Sequence, residues 1–298
     1  MKILLFGKNG QVGWELQRSL APLGQVLALN RHSQDYCGDL SKLTGIVAAI
    51  ADFKPDIVVN AAAYTAVDKA ETEAEQAQLI NAAAPAAIAE AARACDAWLV
   101  HYSTDYVFDG TGERPWQEDD PTSPASIYGS SKLAGERAIL ASGVRHLIFR
   151  TSWVYATRGQ NFAKTMLRLA RERDRLSVID DQIGAPTGAE LIADVTAHAI
   201  RSLACKPDVS GIYHLAAAGQ TSWHGYARLV FDLARQHGET LLLAPSQLKA
   251  IPTSDYPTPA RRPLNSRLNT EKLRTTFGLN LPDWQAGIDR MLTEHSGH

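Results

Sequence analysis

The chain has 298 residues, enough for one large domain or two smaller ones with a sizeable hydrophobic core. Hydrophobic residues make up 45% and charged residues 21%, which is ordinary for a globular protein and excludes intrinsic disorder as the main state. The 30 basic and 32 acidic residues give a formal net charge of −2, so the overall charge indicates neither a nucleic-acid binder nor a membrane-surface protein.

Short apolar runs alternate with helical patterns along the first half of the chain. An apolar residue every three or four positions predicts a helix from Val12 to beyond Leu16, and an alanine-rich helix is predicted at about 74–95. The predicted strands are 3–6, 26–29, a further short strand before Asp39, 56–60, 98–103 and 146–150. Strands that alternate with helices indicate βαβ units and a parallel sheet.

After about residue 155 the rhythm loosens. Helices are predicted at 162–173 and 189–203, strands at 176–179 and 211–215, and an extended proline-rich stretch at 251–263. The predicted fold is α/β: a Rossmann-type doubly wound parallel sheet with helices on both faces, plus a smaller mixed α/β C-terminal part. We assign 1–155 to the sheet domain, to which segments near 188–216 return, and 156–187 with 217–298 to substrate binding.

The cysteines and apolar segments indicate a location. Cys37, Cys95 and Cys205 are far apart and odd in number, so neither a disulfide framework nor a zinc cluster is supported. No stretch approaches the roughly 20 apolar residues of a membrane span, and the N-terminal apolar run is too short for a signal peptide. We therefore expect a cytoplasmic protein with neither a membrane nor a nucleic-acid partner.

A glycine turn follows the first predicted strand. Gly7, Gly10 and Gly13 are spaced G-x-x-G-x-x-G, directly before the first predicted helix. Glycines permit a tight turn and let backbone N–H groups approach a pyrophosphate at a helix N-terminus. This context predicts a dinucleotide site, and the alternative is a purely structural turn.

The residue that distinguishes the two nicotinamide cofactors is expected after the second strand, about 20 residues further on. Asn30 and Arg31 stand there, with no acid to accept bonds from a ribose 2′-hydroxyl. Arg31 can pair with a 2′-phosphate, so the sequence favours NADPH over NADH. The alternative is a solvated arginine in an enzyme that uses both cofactors. Asp39 and Leu40 are weaker candidates for contact with the adenine.

Tyr128 and Lys132 form the pattern Y-x-x-x-K, which places both side chains on one face of a helix. A free tyrosine has a pKa of about 10, and a neighbouring ammonium lowers that pKa because it favours the phenolate. The pair therefore suits general acid–base catalysis. Ser103 and Thr104 lie at the end of a predicted strand, where a hydroxyl can hydrogen-bond a substrate carbonyl. The alternative, if Tyr128 is considered without the lysine and the strand-end hydroxyls, is an ordinary tyrosine of an amphipathic helix.

Together these three features resemble the extended short-chain dehydrogenase/reductase superfamily. Finer motifs resemble the dTDP-4-dehydrorhamnose reductase family from residue 1 to about residue 292, at 60–71, 103–110, 128–136, 150–155, 161–162, 181–187 and 262–266. Related sugar-nucleotide dehydratases usually carry Asp-Glu after the strand threonine. Asp105 and Tyr106 stand here, so the acid pair for water elimination is absent. Tyr64 is a small departure, since the family often has histidine at that position.

The resemblance implies NAD(P)H-dependent reduction of the C4 keto group of dTDP-4-dehydro-6-deoxy-L-mannose. The product is dTDP-L-rhamnose, and the reaction is the last step of its synthesis for cell-surface polysaccharide. The resemblance also implies that Tyr128 donates the proton, that Lys132 tunes Tyr128 and binds ribose, and that Thr104 hydrogen-bonds the reacting oxygen. Asp105 and Trp153 would lie at the sugar.

The same resemblance implies a set of binding residues. Arg262 is a candidate for the substrate diphosphate, because guanidinium binds phosphate bidentately, and the alternative is a surface arginine in a proline-rich loop. The implied cofactor-binding residues are Gly7, Gly10, Gln11, Val12, Gly13, Asn30, Arg31, Asp39, Leu40, Ala62, Ala63, Tyr64, Thr65, Tyr102, Tyr128 and Lys132.

A set of carboxylates suggests a metal between subunits. Some members of the resembled family bind Mg²⁺ in this way, with acids at positions matching Glu15, Glu190 and Asp194. Magnesium prefers oxygen ligands and keeps several waters, so three carboxylates from paired chains suffice. The resemblance thus implies a homodimer with Mg²⁺ at its contact, and the alternative is a solvated acidic face near that contact.

Two further hypotheses stay open beside the reductase. One is a 4-epimerase, or a reductase of another nucleotide sugar, on the same fold. The other is a catalytically silent regulatory subunit, whose hallmark would be loss of the Tyr–Lys pair or of the glycine turn. Both features are intact in this sequence.

Overall fold

The computed structural model describes residues 1–206 and 208–296. The strands are β1 (Lys2–Phe6), β2 (Gln25–Leu29), β3 (Ile57–Asn60), β4 (Trp98–Thr104), β5 (His146–Thr151), β6 (Val154–Tyr155), β7 (Leu176–Ile179), β8 (Ile183–Gly184), β9 (Thr187–Gly188), β10 (Gly211–His214), β11 (Thr221–Ser222) and β12 (Leu248–Ile251). The helices are α1 (Gln11–Leu20), α2 (Leu43–Phe53), α3 (Val67–Ala70), α4 (Ala74–Gln78), α5 (Ala84–Ala94), α6 (Ile127–Ser142), α7 (Phe162–Glu172), α8 (Ala189–Ser202), α9 (Trp223–Gln236), α10 (Glu271–Phe277) and α11 (Trp284–Ser296). A π-helical turn (Leu79–Ala83) joins α4 to α5.

A six-stranded parallel sheet forms the centre of the molecule, in the order β2-β1-β3-β4-β5-β10. Strand β1 pairs with β2, Lys2 opposite Gln25, and with β3, Ile3 opposite Ile57. The strands are apolar along their length because both faces of the sheet are covered. The chain leaves β1 toward β2 on one side and later returns to β3 on the other. A ligand crevice is expected at the carboxyl end of β1, where the strand order reverses.

Helices cover both faces of this sheet. Leu16 of α1 and Ile192 of α8 are fully buried against one face. Ile46 of α2, Ile88 of α5 and Ile139 of α6 are fully buried against the other. Each of these helices presents one apolar face to the strands, as the helical spacing predicts.

The last third of the chain makes two kinds of contact. Strand β10 returns to the sheet beside β5, with Gly211 opposite Leu147. Helices α7, α9 and α11 instead enclose a separate hydrophobic core in which Tyr226 and Ile288 are almost completely buried. Small two-stranded pairs, β6 with β9, β7 with β12 and β8 with β11, lie in this part of the molecule.

The predicted Rossmann-type fold is confirmed, with one wrong element. The strand expected before Asp39 does not form: residues 30–42 are turns and irregular backbone. Side chains explain this, because Asn30 Oδ1 accepts the His32 N–H and Asp39 Oδ1 accepts the Ser41 N–H, and such bonds stabilise turns. The domain division at residue 155 stays a prediction, and positions 297–298 lie outside the described residues. Within the described ranges, no helix has the length and apolar character needed to cross a membrane.

Candidate active site

The carboxyl ends of β1, β3, β4 and β5 meet at one edge of the sheet. Their registers place Phe6 opposite Asn60, Asn60 opposite His101, and Thr104 opposite Thr151. The glycine turn after β1 and the predicted catalytic residues after β4 therefore border one crevice. This is the edge at which parallel α/β sheets bind ligands.

Two of the three glycines are required by the backbone. Gly7 has φ of 91°, and a Cβ there would lie 2.7 Å from the Ala62 nitrogen. A Cβ at Gly13 would overlap the Gly7 carbonyl, so α1 approaches the turn this closely only with glycine. Gly10 is less constrained, since its added Cβ would lie 3.4 Å from the Gly7 oxygen. Helix α1 begins at Gln11 without a side-chain cap, which leaves N–H groups for an anion such as a pyrophosphate.

The first turn of α1 is held from the second part of the molecule. Asn161 Nδ2 donates to Gln11 Oε1 at 3.3 Å and to the Ala156 carbonyl at 2.7 Å. Val12 packs against the core on the α1 side of the sheet. Asn161 entered the sequence prediction only as part of a motif, and its place beside Gln11 depends on the fold.

A cavity of about 570 Å³ opens beside the end of β2, and Arg31, Asp39 and Lys42 are among its lining residues. Burial acts to raise the pKa of Asp39, but hydrogen bonds from Ser41 and the charges of Lys42 and Arg31 lower it on balance. Sequence reasoning missed Lys42, because a lysine before a helix carries no signal by itself. Two cations therefore face this cavity.

The two neighbours of Arg31 and Asp39 in the predicted cofactor set have different surroundings. Asn30 shapes the turn after β2, since its N–H donates to the Ser33 hydroxyl at 3.0 Å. The Leu40 side chain is buried in the hydrophobic core rather than on the cavity wall. A contact of Leu40 with the adenine would therefore involve its backbone.

The segment after β3 is held by Asn81, which sequence reasoning did not single out. Asn81 is 1% exposed, accepts the Tyr64 N–H at 2.9 Å and donates to the Tyr64 carbonyl at 3.0 Å. It also donates to the Ser131 hydroxyl of α6 at 3.0 Å. Asn81 lies in the π-helical turn, an irregularity frequent at functional sites and invisible in an alanine-rich pattern. Ala62, Ala63 and Thr65 extend along the same held segment.

The Tyr64 hydroxyl is turned away from this backbone. It donates to Glu73 at 2.5 Å, and this bond raises the pKa of Tyr64 to about 12. Thr65 is exposed, and Ala62 and Ala63 are half-buried. The Ala62 N–H donates to Asn60 Oδ1 at 3.2 Å.

Helix α6 carries the predicted catalytic pair and is fixed at its start. The Ser126 hydroxyl caps the helix by accepting the Gly129 N–H at 3.1 Å. A Cβ at Gly129 would overlap the Tyr106 carbonyl, so only glycine lets the helix start this close to the turn after β4. The Ile127 N–H donates to Glu71 at 2.9 Å. The predicted helix across Tyr128 is confirmed.

The structure brings Tyr128 and Thr104 together. Burial raises the pKa of Tyr128 above its ordinary value, and a hydrogen bond with the Thr104 hydroxyl opposes that rise. The Tyr128 ring packs edge-on against Tyr106, with centroids 5.5 Å apart. Because its pKa is raised, the phenol is protonated at neutral pH, as a proton donor must be.

Lys132 lies one helical turn after Tyr128 and is 2% exposed. Its Nζ donates to the Tyr102 carbonyl at 2.7 Å and lies 3.3 Å from His101 Nε2. Burial lowers the pKa of Lys132 to about 8, while Glu136 acts to raise it. The Tyr102 hydroxyl is engaged elsewhere, in a 2.8 Å bond with Thr196. The predicted tuning of Tyr128 by Lys132 stays a prediction.

Several unpartnered polar atoms belong to residues at or just after the ends of β4 and β5. Within the described residues, Ser103 Oγ, Asp105 Oδ2, Thr151 Oγ1 and Ser152 Oγ are buried without a hydrogen-bond partner. Burial raises the pKa of Asp105 to about 6, against the lowering effect of its bonds to Ser266 and Thr104. Buried polar groups normally have partners, so these atoms are candidates for contact with a polar ligand such as a sugar.

Trp153 directly follows Ser152 in the chain. It has φ of 49°, a strained conformation for a residue other than glycine, and stacks on Trp223 with ring centroids 3.7 Å apart. The Trp223 indole N–H donates to Gln182 at 3.0 Å, which fixes the second ring. A Cβ at Gly184 would lie 2.8 Å from the Trp153 ring, so a glycine makes room for it. Trp223 is a supporting residue that sequence reasoning assigned only to packing.

Arg262 lies in the proline-rich loop, and its side chain has partners in α3 and in the turn after β4. It donates to Asp68 at 2.7 Å and to the Tyr106 hydroxyl at 3.2 Å. A cavity of about 530 Å³ is lined by Arg262, by other residues of the proline-rich loop and by Asp109 and Asp181. The side chain is half-buried, and its contact with the substrate diphosphate stays a prediction.

The predicted metal residues lie on two packed helices, Glu15 on α1 and Glu190 with Asp194 on α8. Arg18 donates to Asp194 at 2.9 Å and lies 3.5 Å from Glu15. Burial raises the pKa of Glu190, and the charges of Glu15 and Glu294 raise it further. Among residues 1–206 and 208–296, no group of three His, Cys, Asp or Glu side chains is arranged to hold a metal ion. The predicted Mg²⁺ site at Glu15, Glu190 and Asp194 stays a prediction.

The chain is similar to known proteins over nearly its whole length. The family model described as RmlD substrate binding domain matches residues 1–296. The dTDP-4-dehydrorhamnose reductase of Salmonella typhimurium is 64% identical over 294 residues, which cover 99% of this chain and 98% of that protein. The match therefore spans both the sheet and the second core.

Solved structures agree. A dTDP-4-dehydrorhamnose reductase from Clostridium acetobutylicum has a TM-score of 0.90 at 33% identity, covering 99% of this chain and 100% of that one. The Bacillus anthracis reductase, solved in complex with NADP, has a TM-score of 0.86 at 32% identity, covering 98% of this chain and 99% of that one. The fold of the whole chain is therefore shared with solved dTDP-4-dehydrorhamnose reductases.

Proposed function

The chain belongs to the family of dTDP-4-dehydrorhamnose reductases, and from this premise we propose that it reduces the C4 keto group of dTDP-4-dehydro-6-deoxy-L-mannose to give dTDP-L-rhamnose. NAD(P)H, when bound, supplies the hydride, and the protein supplies the proton. The observation that carries the proposal is the position of Tyr128 on α6, packed against Tyr106 next to Thr104 at the end of β4, at the sheet edge that also holds the glycine turn. The product serves cell-surface polysaccharide synthesis.

Each catalytic residue has a role that its surroundings support. Tyr128 gives its proton to the C4 oxygen, and burial keeps the proton on the phenol until then. Thr104 hydrogen-bonds the reacting oxygen, since its hydroxyl already faces the phenol. Lys132 binds the nicotinamide ribose from its position one turn along α6.

Substrate binding is assigned to Asp105, Trp153 and Arg262. Asp105 accepts sugar hydroxyls through its unpartnered Oδ2. Trp153 packs against the sugar ring, held in place by Trp223. Arg262 exchanges its bond with Asp68 for the diphosphate, a stronger and bidentate acceptor.

The cofactor cradle fits a dinucleotide, because the space beside Gly7 and Gly13 admits no Cβ and the start of α1 has no side-chain cap. We propose a preference for NADPH. Arg31 and Lys42 both line the cavity beside β2, where a 2′-phosphate would need positive charge.

Arg31→Ala is expected to raise the KM for NADPH about tenfold or more and to leave the KM for NADH nearly unchanged, because a charge-assisted bond to phosphate contributes about 1.5–3 kcal/mol. Steady-state kinetics with each cofactor measures the ratio. Arg93→Ala, which removes an exposed arginine paired with Glu90, is the matched control and should change neither KM. Equal effects of Arg31→Ala on both cofactors would contradict the 2′-phosphate contact.

The alternatives differ from the proposal at identifiable residues. A silent regulatory subunit would lack the Tyr–Lys pair or the glycine turn, and Tyr128, Lys132 and Gly7 are all in place. A dehydratase would need an acid where Tyr106 stands. A 4-epimerase must retain NAD⁺ through its catalytic cycle. If the purified protein contains no bound nicotinamide cofactor, that result would favour the reductase.

A coupled assay tests the reaction. The substrate is generated in place by its upstream enzymes, and cofactor oxidation is followed by absorbance while the sugar product is identified. We expect NADPH consumption with formation of dTDP-L-rhamnose. A folded protein that binds NADPH but consumes neither cofactor would contradict the proposal and favour another nucleotide sugar or the silent subunit.

We propose that two copies associate through the acidic face carrying Glu15, Glu190 and Asp194, with Mg²⁺ between them. The proximity of the three carboxylates supports this: Arg18 contacts both Glu15 and Asp194, and the charge of Glu15 acts on Glu190, whose pKa is raised mainly by burial. Light scattering should give twice the 32.4 kDa of one chain in Mg²⁺ and a smaller mass in EDTA. A single-chain mass in both buffers would contradict the proposed dimer. A dimer mass that is the same in EDTA as in Mg²⁺ would contradict the proposed role of Mg²⁺ in the contact.

We also propose a reducing, cytoplasmic location, which the free state of Cys37, Cys95 and Cys205 supports. We propose that the two hydrophobic cores correspond to two binding functions. The part built on the sheet binds the cofactor, and the part formed by residues 156–187 and 217–298 binds the sugar nucleotide. The final positions of that range, 297–298, lie outside the described residues.

A further inference from the structure

A buried histidine lies directly behind the catalytic lysine. His101, in β4, is 1% exposed, and its two ring nitrogens both have polar neighbours. Nδ1 lies 3.2 Å from Asn60 Nδ2, and Nε2 lies 3.3 Å from Lys132 Nζ. The role assigned above to Lys132 does not use this histidine.

The backbone decides which way the Asn60 amide points. The Ala62 N–H donates to Asn60 Oδ1 at 3.2 Å, so the NH₂ group of Asn60 faces His101. An NH₂ group can only donate, and therefore Nδ1 of His101 must accept. The neutral ring then carries its hydrogen on Nε2, which points at Lys132.

An N–H pointing at Lys132 has a consequence for that residue's charge. An ammonium has no lone pair and cannot accept from Nε2–H, whereas a neutral amine accepts it and still donates to the Tyr102 carbonyl 2.7 Å away. The pKa of His101 is far below its usual value because of burial and the Lys132 charge, so the ring itself stays neutral.

The charged groups around Lys132 do not reverse this preference. Glu136, on the same helix, is the carboxylate that acts on it, and Glu136 is held in a bidentate pair by Arg150 of β5 at 3.0 and 2.7 Å. From β4 and β3 the facing groups are the neutral His101 and Asn60. Burial acts in the same direction as the histidine, lowering the pKa of Lys132 to about 8.

We propose that Asn60 holds His101 in its Nε2–H tautomer and that His101 is thereby a positioning residue that favours the neutral amine of Lys132. The proposal rests on the proposed function only for its effect on turnover. In that reaction the two residues set the pH above which the ammonium of Lys132 is lost, and so set the alkaline limit of activity.

The tautomer is measured directly on the full-length ¹⁵N-labelled protein by NMR. Among the nine histidines, His101 is assigned from the spectrum of His101→Gln. We expect an unprotonated Nδ1 and a protonated Nε2. A protonated Nδ1, or a doubly protonated ring at neutral pH, would overturn the proposal. This measurement needs neither substrate nor a folded Asn60 variant. It therefore determines the tautomer of His101 even if the proposed enzymatic function is wrong.

Asn60→Asp reverses the network without changing its size. A carboxylate accepts from both the Ala62 N–H and a protonated Nδ1, which leaves Nε2 of His101 to accept from the Lys132 ammonium. The pKa of Lys132, followed from its Cε carbon resonance and assigned with Lys132→Arg, should rise by about one unit or more. The alkaline limb of kcat/KM should move to higher pH by the same amount.

Asn269→Asp is the matched control, since it adds the same charge at the start of α10, outside the network. It should leave the pKa of Lys132 and the alkaline limb unchanged. Equal shifts in both variants, or no shift in Asn60→Asp, would overturn the coupling. A shifted Lys132 resonance in a protein without reductase activity would support the coupling and contradict the proposed function alone.

Discussion

Tyr128→Phe is expected to lower kcat by about 10²- to 10⁴-fold, the range associated with loss of a positioned proton donor. The phenol faces the Thr104 hydroxyl, and burial keeps its proton in place. The ring contact with Tyr106 is kept by phenylalanine, so the fold and NADPH binding should be unchanged. Single-turnover kinetics and NADPH titration measure the two effects separately.

Tyr213→Phe provides the control for removal of a tyrosine hydroxyl. Tyr213 lies on β10, and its hydroxyl donates to the Val209 carbonyl at 2.7 Å, away from the crevice. Its kcat should equal that of the wild type. A Tyr128→Phe enzyme with kcat within a factor of about three of the control would mean that another group donates the proton.

Arg150→Met is expected to destabilise the protein by about 3–5 kcal/mol, the cost of leaving a buried charge without its partner. The Arg150 and Glu136 side chains are 3% and 1% exposed and share two hydrogen bonds, at 3.0 and 2.7 Å. The guanidinium also lies 5.0 Å above the Phe108 ring. Urea unfolding followed by circular dichroism gives the change in the free energy of unfolding.

Two comparisons show whether the cost comes from the unpaired charge. Arg150→Met combined with Glu136→Gln should recover part of the lost stability, because neither partner then remains charged. Arg168→Met removes an exposed arginine paired with Glu172 and should cost about 1 kcal/mol or less. If the single Arg150 variant unfolds like the wild type, the pair does not hold α6 against β5.

The fold was largely predictable because its signals are local. The buried runs of the parallel sheet, the glycine turn and the helix carrying Tyr128 and Lys132 each follow from residues close together in the chain. The predicted strand before Asp39 was wrong for an equally local reason. Side-chain bonds from Asn30 and Asp39 to nearby groups stabilise turns there, and a short apolar run does not reveal them.

The site was only partly predictable. Tyr128 and Thr104 were identified from their pattern, and the fold places them together. Asn81 was not identified, because its bonds reach Tyr64 and Ser131, 17 and 50 positions away. No spacing rule connects such positions, and only the packing of the π-helical turn against α6 does.

The chain's own residue pattern thus determines the sheet, the glycine turn and the Tyr–Lys helix, since periodicity and backbone sterics act over a few residues. Tertiary structure alone decides the environment of those residues. It buries Lys132 beside His101, aims Asn60 at that histidine and turns Arg262 toward Asp68. Burial and hydrogen bonding between distant segments set protonation states, and these depend on which groups the completed fold brings within about 3 Å of each other.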